Sequence, residues 1–278
     1  KLSTLAVVPY GDEDEYISAG YGAQYLITRR GPDTRGDIFT LGTQGKWGAQ
    51  FHWFGRMDVE SYLSQVSTRP TGEFGFRWTT LENINFTFAP FLENVFQNRE
   101  SIAQDIYRGG GRVSMDLFLH RRWWLDTRYR FMGYSDDNFA HDFYVHNSFW
   151  LTMPPRQLRL LANYDLLSYA EPTIFGPDGS VIGATHPYFA PSGYSQMSAI
   201  LEWKHWLTAD FFKGADEFYY AIQFGSMFDS EGQYFSLFNA RVHKDYCRWL
   251  SMGAYTALQR SPVYDSTEAM AYFTVRFP

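Results

Sequence analysis

His146, Asn147 and Ser148 place an imidazole and a hydroxyl two residues apart, on one face of any extended strand. A histidine so placed can take the proton of a serine nucleophile, and the pair would serve a lipid hydrolase if it faced lipid. The flanking alternation puts Phe143, Val145, Phe149 and Leu151 on the opposite, apolar face, so His146 and Ser148 read as polar lining. Metal chemistry finds little support. The seven histidines are scattered, and His141, His146 and His186 lack Cys, Asp or Glu partners at ligand spacing. The acidic run Asp12–Glu15 lacks the glycine and spacing of a calcium loop and reads as a solvated turn. Gly109, Gly110 and Gly111 do not join a strand to a helix, as a phosphate loop would; they fit a bend or a close backbone approach. The expectation is a protein that is not an enzyme, with no catalytic residues, no metal and no cofactor.

What chemistry remains lies on one face of successive strands. It carries the acids Asp58, Glu60, Glu73, Asp116, Asp126, Asp142, Asp165, Glu202 and Glu268. The bases are Lys46, Arg56, Arg77, Arg108, Arg112, Arg122, Arg128, Arg130, Arg159, Lys204, Arg241 and Arg276. Mixed signs suit ion-pair ladders that brace a wall. Interleaved with them are Tyr62, Tyr144, Trp150, Tyr169, Trp206, Tyr219 and Tyr272. Flat rings stack on the apolar faces of pyranoses, while carboxylates and guanidinium groups bond to hydroxyls. A path for a sugar polymer would therefore run past Asp58, Glu60, Tyr62, Arg112, Asp126, Arg128, Arg130, Tyr144, Trp150, Asp165, Tyr169, Glu202, Trp206, Tyr219 and Tyr272.

Long strands must position these groups. From Ile38 to Phe54, Phe39, Leu41, Thr43, Gly45, Trp47, Ala49, Phe51 and Trp53 alternate with Thr40, Gly42, Gln44, Lys46, Gly48, Gln50 and His52. Period two held over about fifteen residues exceeds the roughly five or six of an ordinary strand and suits a tilted membrane-crossing one. Similar alternation spans 73–80, 83–93, 122–133, 142–152, 159–169, 196–207 and 268–277. Breaks are expected at 11–15, 31–36, 55–56, 69–72, 81–83, 97–105, 120–121, 135–141, 154–157, 171–193, 208–216, 229–232, 244–247 and 259–266. Tight connections largely alternate with longer ones, as periplasmic turns and outside loops do. Fourteen strands follow from Tyr16 onward, Leu2–Pro9 makes a fifteenth, and a hairpin turning near Gly45 makes sixteen, although unbroken alternation argues against that split.

Composition agrees. The chain has 278 residues, 19% of them aromatic, with net charge −6 and one cysteine; its mean hydropathy is −0.34. No stretch approaches the ~18 apolar residues of a membrane helix. The aromatics exclude a disordered chain, the lone Cys247 a disulfide-stapled scaffold, and the negative charge argues against nucleic-acid binding. A soluble sandwich needs one shared core, which uniformly long strands with apolar outer faces do not supply. The fold expected is all-β: a transmembrane antiparallel up-and-down β-barrel of 14–16 strands, one domain over 1–278, in the bacterial outer membrane.

His186-Pro187-Tyr188-Phe189-Ala190-Pro191 precedes the strand at 195–207. It resembles the N-P-Y-F-x-P element before a late barrel strand in exopolysaccharide export porins, the outer-membrane barrels attached to periplasmic tetratricopeptide-repeat scaffolds in cellulose, poly-N-acetylglucosamine and Pel secretion. His186 stands where that element has Asn. The prolines fix an extended entry, and Pro187, Tyr188, Phe189 and Pro191 would anchor the loop at the rim. The resemblance implies sixteen strands and passive export of a polysaccharide made at the inner membrane. It also implies an N-terminal periplasmic repeat region and synthase-complex components as partners, beside the polymer and outer-membrane lipid. Net charge and the Asp12–Glu15 run lean slightly towards a neutral or cationic polymer. The alternatives are a diffusion porin for small solutes and, last, a lipid hydrolase using His146 and Ser148.

Overall fold

The structure is a computed structural model that describes residues 2–9, 15–26, 34–62, 68–81, 83–95, 101, 104–174, 185–208, 217–247, 250–260 and 265–275. Its elements are fifteen strands: β1 Leu2–Pro9, β2 Tyr16–Leu26, β3 Thr34–Trp47, β4 Phe51–Tyr62, β5 Arg69–Leu81, β6 Ile84–Asn94, β7 Tyr107–His120 and β8 Trp123–Tyr134. They continue as β9 Phe139–Trp150, β10 Arg156–Tyr169, β11 Tyr194–Trp206, β12 Phe218–Asp229, β13 Tyr234–Cys247, β14 Leu250–Arg260 and β15 Asp265–Val275. All join one sheet in sequence order, each strand bonded to its neighbour in the chain. This is the expected antiparallel up-and-down architecture. The fifteen strands among the described residues include Leu2–Pro9 and fall inside the expected 14–16, one fewer than the sixteen that the resemblance implies.

The exposure pattern inverts that of a soluble domain. Many large apolar side chains are exposed, among them Trp47 at 66%, Phe39 at 55%, Phe273 at 57%, Leu41, Phe74, Phe88, Phe131, Phe149 and Phe224. The buried set includes Thr71, Thr87, Asp142, Ser148, Glu202 and Ser251. Exposed apolar area on this scale marks a surface meant for an apolar surrounding, here lipid. In β9 the two populations alternate: Phe139, Phe143 and Phe149 are exposed, whereas Ala140, Asp142 and Ser148 are buried.

Several expected boundaries are corrected. The run from Ile38 to Phe54 is not one strand, and Gly55–Arg56 is not a break. β3 ends at Trp47, residues 48–50 turn with Gly48 at φ 70°, and Gly55 and Arg56 sit inside β4. Trp47 faces Phe51 across the hairpin. A loop with an odd number of residues sets odd positions opposite odd positions, so the alternation passes through the turn without a phase slip. Residues 69–72 are likewise no break, because β5 begins at Arg69 and pairs with β4 from that residue onward. β13 extends through 244–247, with a register irregularity between Asp245 and Cys247.

Of the breaks expected at 11–15, 31–36, 97–105, 171–193 and 208–216, residues 11–14, 31–33, 97–100, 102–103, 175–184 and 209–216 lie outside the described residues, and 34–36 open β3 instead of breaking the chain. Of the acidic run Asp12, Glu13, Asp14 and Glu15, only Glu15 is described, and it accepts a hydrogen bond from the Lys46 amide at 3.0 Å.

The chain groups into two compact units. The first comprises Lys1–Met115, Arg128–Phe143 and Leu167–Gly193; the second comprises Asp116–Thr127, Tyr144–Leu166 and Tyr194–Pro278. In the first, the three-glycine run lets backbones meet: a Cβ on Gly110 would overlap the Phe131 carbonyl oxygen. That unit also holds an apolar cluster of Val95, Ile106, Met132, Tyr134, Ala140, Tyr169, Tyr188 and Ala190.

Candidate functional site

In the second unit the register of β11 to β15 sets rows of side chains across the strands. Trp206 faces Tyr219, Tyr219 faces His243, His243 faces Gly253, and Gly253 faces Tyr272. The rings follow one another along this row. Trp206 and Tyr219 have centroids 6.1 Å apart, Tyr219 and His243 5.3 Å, and His243 and Tyr272 6.0 Å. Gly253 makes the last step possible, because its missing side chain leaves the space that the Tyr272 phenol occupies. Four rings thus cover five strands, at spacings typical of favourable aromatic pairs.

The next rows carry hydrogen-bonding groups. Arg159 Nη2 lies 2.7 Å from Glu202 Oε1, Gln223 donates to Glu202 Oε2 at 2.6 Å, and Asn239 donates to Gln223 Oε1 at 2.8 Å. Lys204 Nζ lies 3.8 Å from the Tyr219 ring centroid and 4.2 Å from that of Trp206. Arg159, Glu202, Lys204, Tyr219, Gln223 and Asn239, together with Arg241 and Tyr255, line a cleft of about 430 Å³ beside Trp206. Glu202, Trp206, Tyr219 and Tyr272, named from sequence, therefore fall on one surface. Trp150 joins its edge through Arg159, whose guanidinium lies 5.7 Å from the Trp150 ring centroid. Tyr144 donates to Asn163 Oδ1 at 3.3 Å, and Asn163 donates to Ser198 at 2.8 Å. Asp126 and Asp165 are partly buried and engaged in interactions of their own. The Glu268 side chain and Arg276 lie outside the described residues.

Sequence reading missed His243, Gln223, Asn239 and Gly253. A signal exists for three of them, since strand alternation puts Gln223 on the polar face that carries Tyr219, and Asn239 and His243 on the one that carries Arg241. A search for charge and for Tyr or Trp passes over amides, an imidazole and a glycine.

In the first unit the charged face forms a brace. Glu73 pairs with Arg112; Glu93 Oε1 lies 2.6 Å from Arg108 Nε and 4.0 Å from Arg130 Nη1; Arg130 Nε donates to Asp142 at 2.7 Å. Asp58 pairs with Arg56 at 2.9 Å, and Glu60 accepts from Asn94 at 2.8 Å. Arg128 is partly buried and engaged, and the Tyr62 side chain lies outside those described.

Tyr169 meets the 186–191 loop. Its hydroxyl lies 2.7 Å from that of Tyr134, and the Tyr188 ring stacks on Tyr134 with centroids 4.6 Å apart. Tyr188 donates to Asp136 Oδ1 at 2.9 Å, and His186 Nδ1 lies 2.8 Å from Asp136 Oδ2. Burial, followed by the Asp136 carboxylate, pushes the Tyr188 phenol well above its ordinary pKa. The Pro191 carbonyl accepts from the Tyr169 amide at 3.1 Å. Pro187 and Ala190 are buried, whereas Phe189 is exposed. The loop is thus held chiefly through Tyr188, with His186 and the Pro191 carbonyl in support.

His146 hydrogen-bonds Asn163 and packs against Trp124, on the same face as buried Ser148 and away from exposed Phe149. Ser148 Oγ is fully enclosed and makes no hydrogen bond among the described residues.

No family model matches the chain, and no curated protein matches it either. Among solved structures, a chain described as "Bacterial polysaccharide outer membrane secretin" is similar, with a TM-score of 0.69 and 12% identity. The likeness covers 98% of this chain and 87% of that one. Identity at this level speaks for the fold alone, which is the outer-membrane β-barrel type.

Proposed function

We propose that the chain is a bacterial outer-membrane channel that conducts a secreted exopolysaccharide from the periplasm to the cell exterior. The observation that carries this reading is the unbroken row Trp206–Tyr219–His243–Tyr272 beside the cleft of Glu202, Gln223, Asn239 and Arg159. The half-buried His243 and Tyr272 rings offer apolar faces to pyranoses, Trp206 and Tyr219 lie buried beneath Lys204 and back the row, and the adjacent carboxylate, amides and guanidinium offer partners for hydroxyls. The exposed Phe and Trp on the other faces support a lipid surrounding, and the fold likeness to a polysaccharide secretin supports the same cargo class.

Transport is guided diffusion driven by synthesis from below, with no covalent step and no cofactor. Each ring–sugar contact, taken on the scale of an aromatic pair, contributes about 0.5–1.5 kcal/mol. Contacts this weak, repeated along a path, let a chain enter and still advance. A periplasmic repeat scaffold and synthase components would deliver the polymer. The test is export in cells carrying Trp206→Ala or Tyr144→Ala, with barrel folding followed by heat-modifiable migration. Reduced secretion by folded variants supports the path; unchanged secretion in both removes it.

A further inference from the structure

We infer that Glu217, His243 and Asp245 form a binding site for one divalent cation of the zinc class. One ligand atom from each residue lies within 4.8 Å of the other two. His243 Nε2 and Asp245 Oδ1 are 3.2 Å apart. Zinc bonds of about 2.0–2.2 Å in a tetrahedron place neighbouring ligand atoms roughly 3.3–3.6 Å apart, so this pair already stands near the required separation. One imidazole and two carboxylates is a donor set that suits a borderline cation better than magnesium, which prefers oxygen ligands throughout.

The surroundings organise these ligands. The Asp245 amide donates to the Glu217 carbonyl at 2.7 Å, and the Glu217 amide donates to Asp245 Oδ2 at 3.2 Å. Glu217 is thereby fixed beside Asp245, whose other oxygen faces His243. His243 Nδ1 lies 3.0 Å from Tyr272 Oη, and the Tyr219 ring stacks on the imidazole. A proton on Nδ1 donated to Tyr272 leaves Nε2 as the ligand atom. This is the outer-shell arrangement that orients metal-binding histidines. Three protein ligands leave a fourth tetrahedral position for water or another oxygen donor. This inference does not depend on the cargo of the channel.

The test is calorimetric titration of the full chain in detergent, stripped with chelator, with ZnCl₂ and with MgCl₂ for comparison. The expected result is a zinc equivalent that His243→Ala removes and His146→Ala retains. Asp245→Asn and Glu217→Gln weaken it at least tenfold, and Tyr272→Phe weakens it about tenfold through the outer shell. Heat-modifiable migration reports folding of each variant. If His243→Ala does not fold, Asp245→Asn and Glu217→Gln carry the comparison. Equal zinc uptake by folded wild type and ligand variants, or no uptake by wild type, overturns the inference.

Discussion

The phenol of Tyr272 lies in the space that a side chain at Gly253 would fill. An added Cβ would overlap that phenol and come within 2.8 Å of the Val242 carbonyl oxygen. The glycine on β14 thus lets a ring from β15 reach His243 on β13, and the aromatic row crosses a strand that contributes no ring.

Gly253→Ala should therefore displace Tyr272 and press on the β13 backbone at Val242, a milder backbone clash than the one at Gly110. The expected stability loss is about 1–3 kcal/mol, the range for overpacking. Gly110→Ala sets a Cβ against the Phe131 carbonyl oxygen, part of a paired backbone that cannot swing aside as a side chain does. It should reduce the folded yield severely. Thermal unfolding and refolding yield in detergent check the pair; equal behaviour would contradict these roles of the two glycines.

Trp206→Ala removes the first ring of the row. Loss of about 0.5–1.5 kcal/mol of stacking weakens oligosaccharide binding about two- to tenfold. Block of bilayer currents by cello- and chito-oligosaccharides, compared between wild type and variant, measures it.

Tyr188→Ala removes the ring that stacks on Tyr134 and the hydroxyl that reaches Asp136. Hydrogen exchange and proteolysis over 185–193 should rise sharply while heat-modifiable migration is retained. The phenol's pKa is raised in the folded state, so its contribution is fully present below the unfolded value of about 10. It is lost as pH climbs above that value, because the undocked phenol ionises more easily. Loop protection should fall in alkaline buffer for wild type, and less for Tyr188→Phe.

Asp142→Ala leaves Arg130 with Glu93 at 4.0 Å as its remaining ion-pair partner among the described residues. Asp142 is buried and Arg130 only partly exposed. The expected loss is about 3 kcal/mol, the low end for breaking a buried pair, and a denaturant titration reads it.

Much of this is legible in the sequence because strand alternation is a local property. Spacing alone puts Phe74, Trp78, Phe88 and Phe131 on the apolar face, and Glu202, Trp206 and Tyr219 on the polar one. The β3–β4 turn is not legible, since three residues at 48–50 conserve the parity on which such a reading relies. Neither is the meeting of Tyr134, Tyr169 and Tyr188, which are far apart in the chain and joined by tertiary packing. Gly253 carries no chemical signal, because its role lies in what it leaves empty.

The most direct measurement of sugar conduction is single-channel conductance in planar lipid bilayers, with cello- and chito-oligosaccharides of increasing length added to one side. An aromatic sugar path predicts an ion-conducting pore that these sugars block, more strongly with each added residue, and a block weakened by Trp206→Ala. An open pore indifferent to sugars of every length, in wild type and variant alike, would contradict it and point to a porin for small solutes.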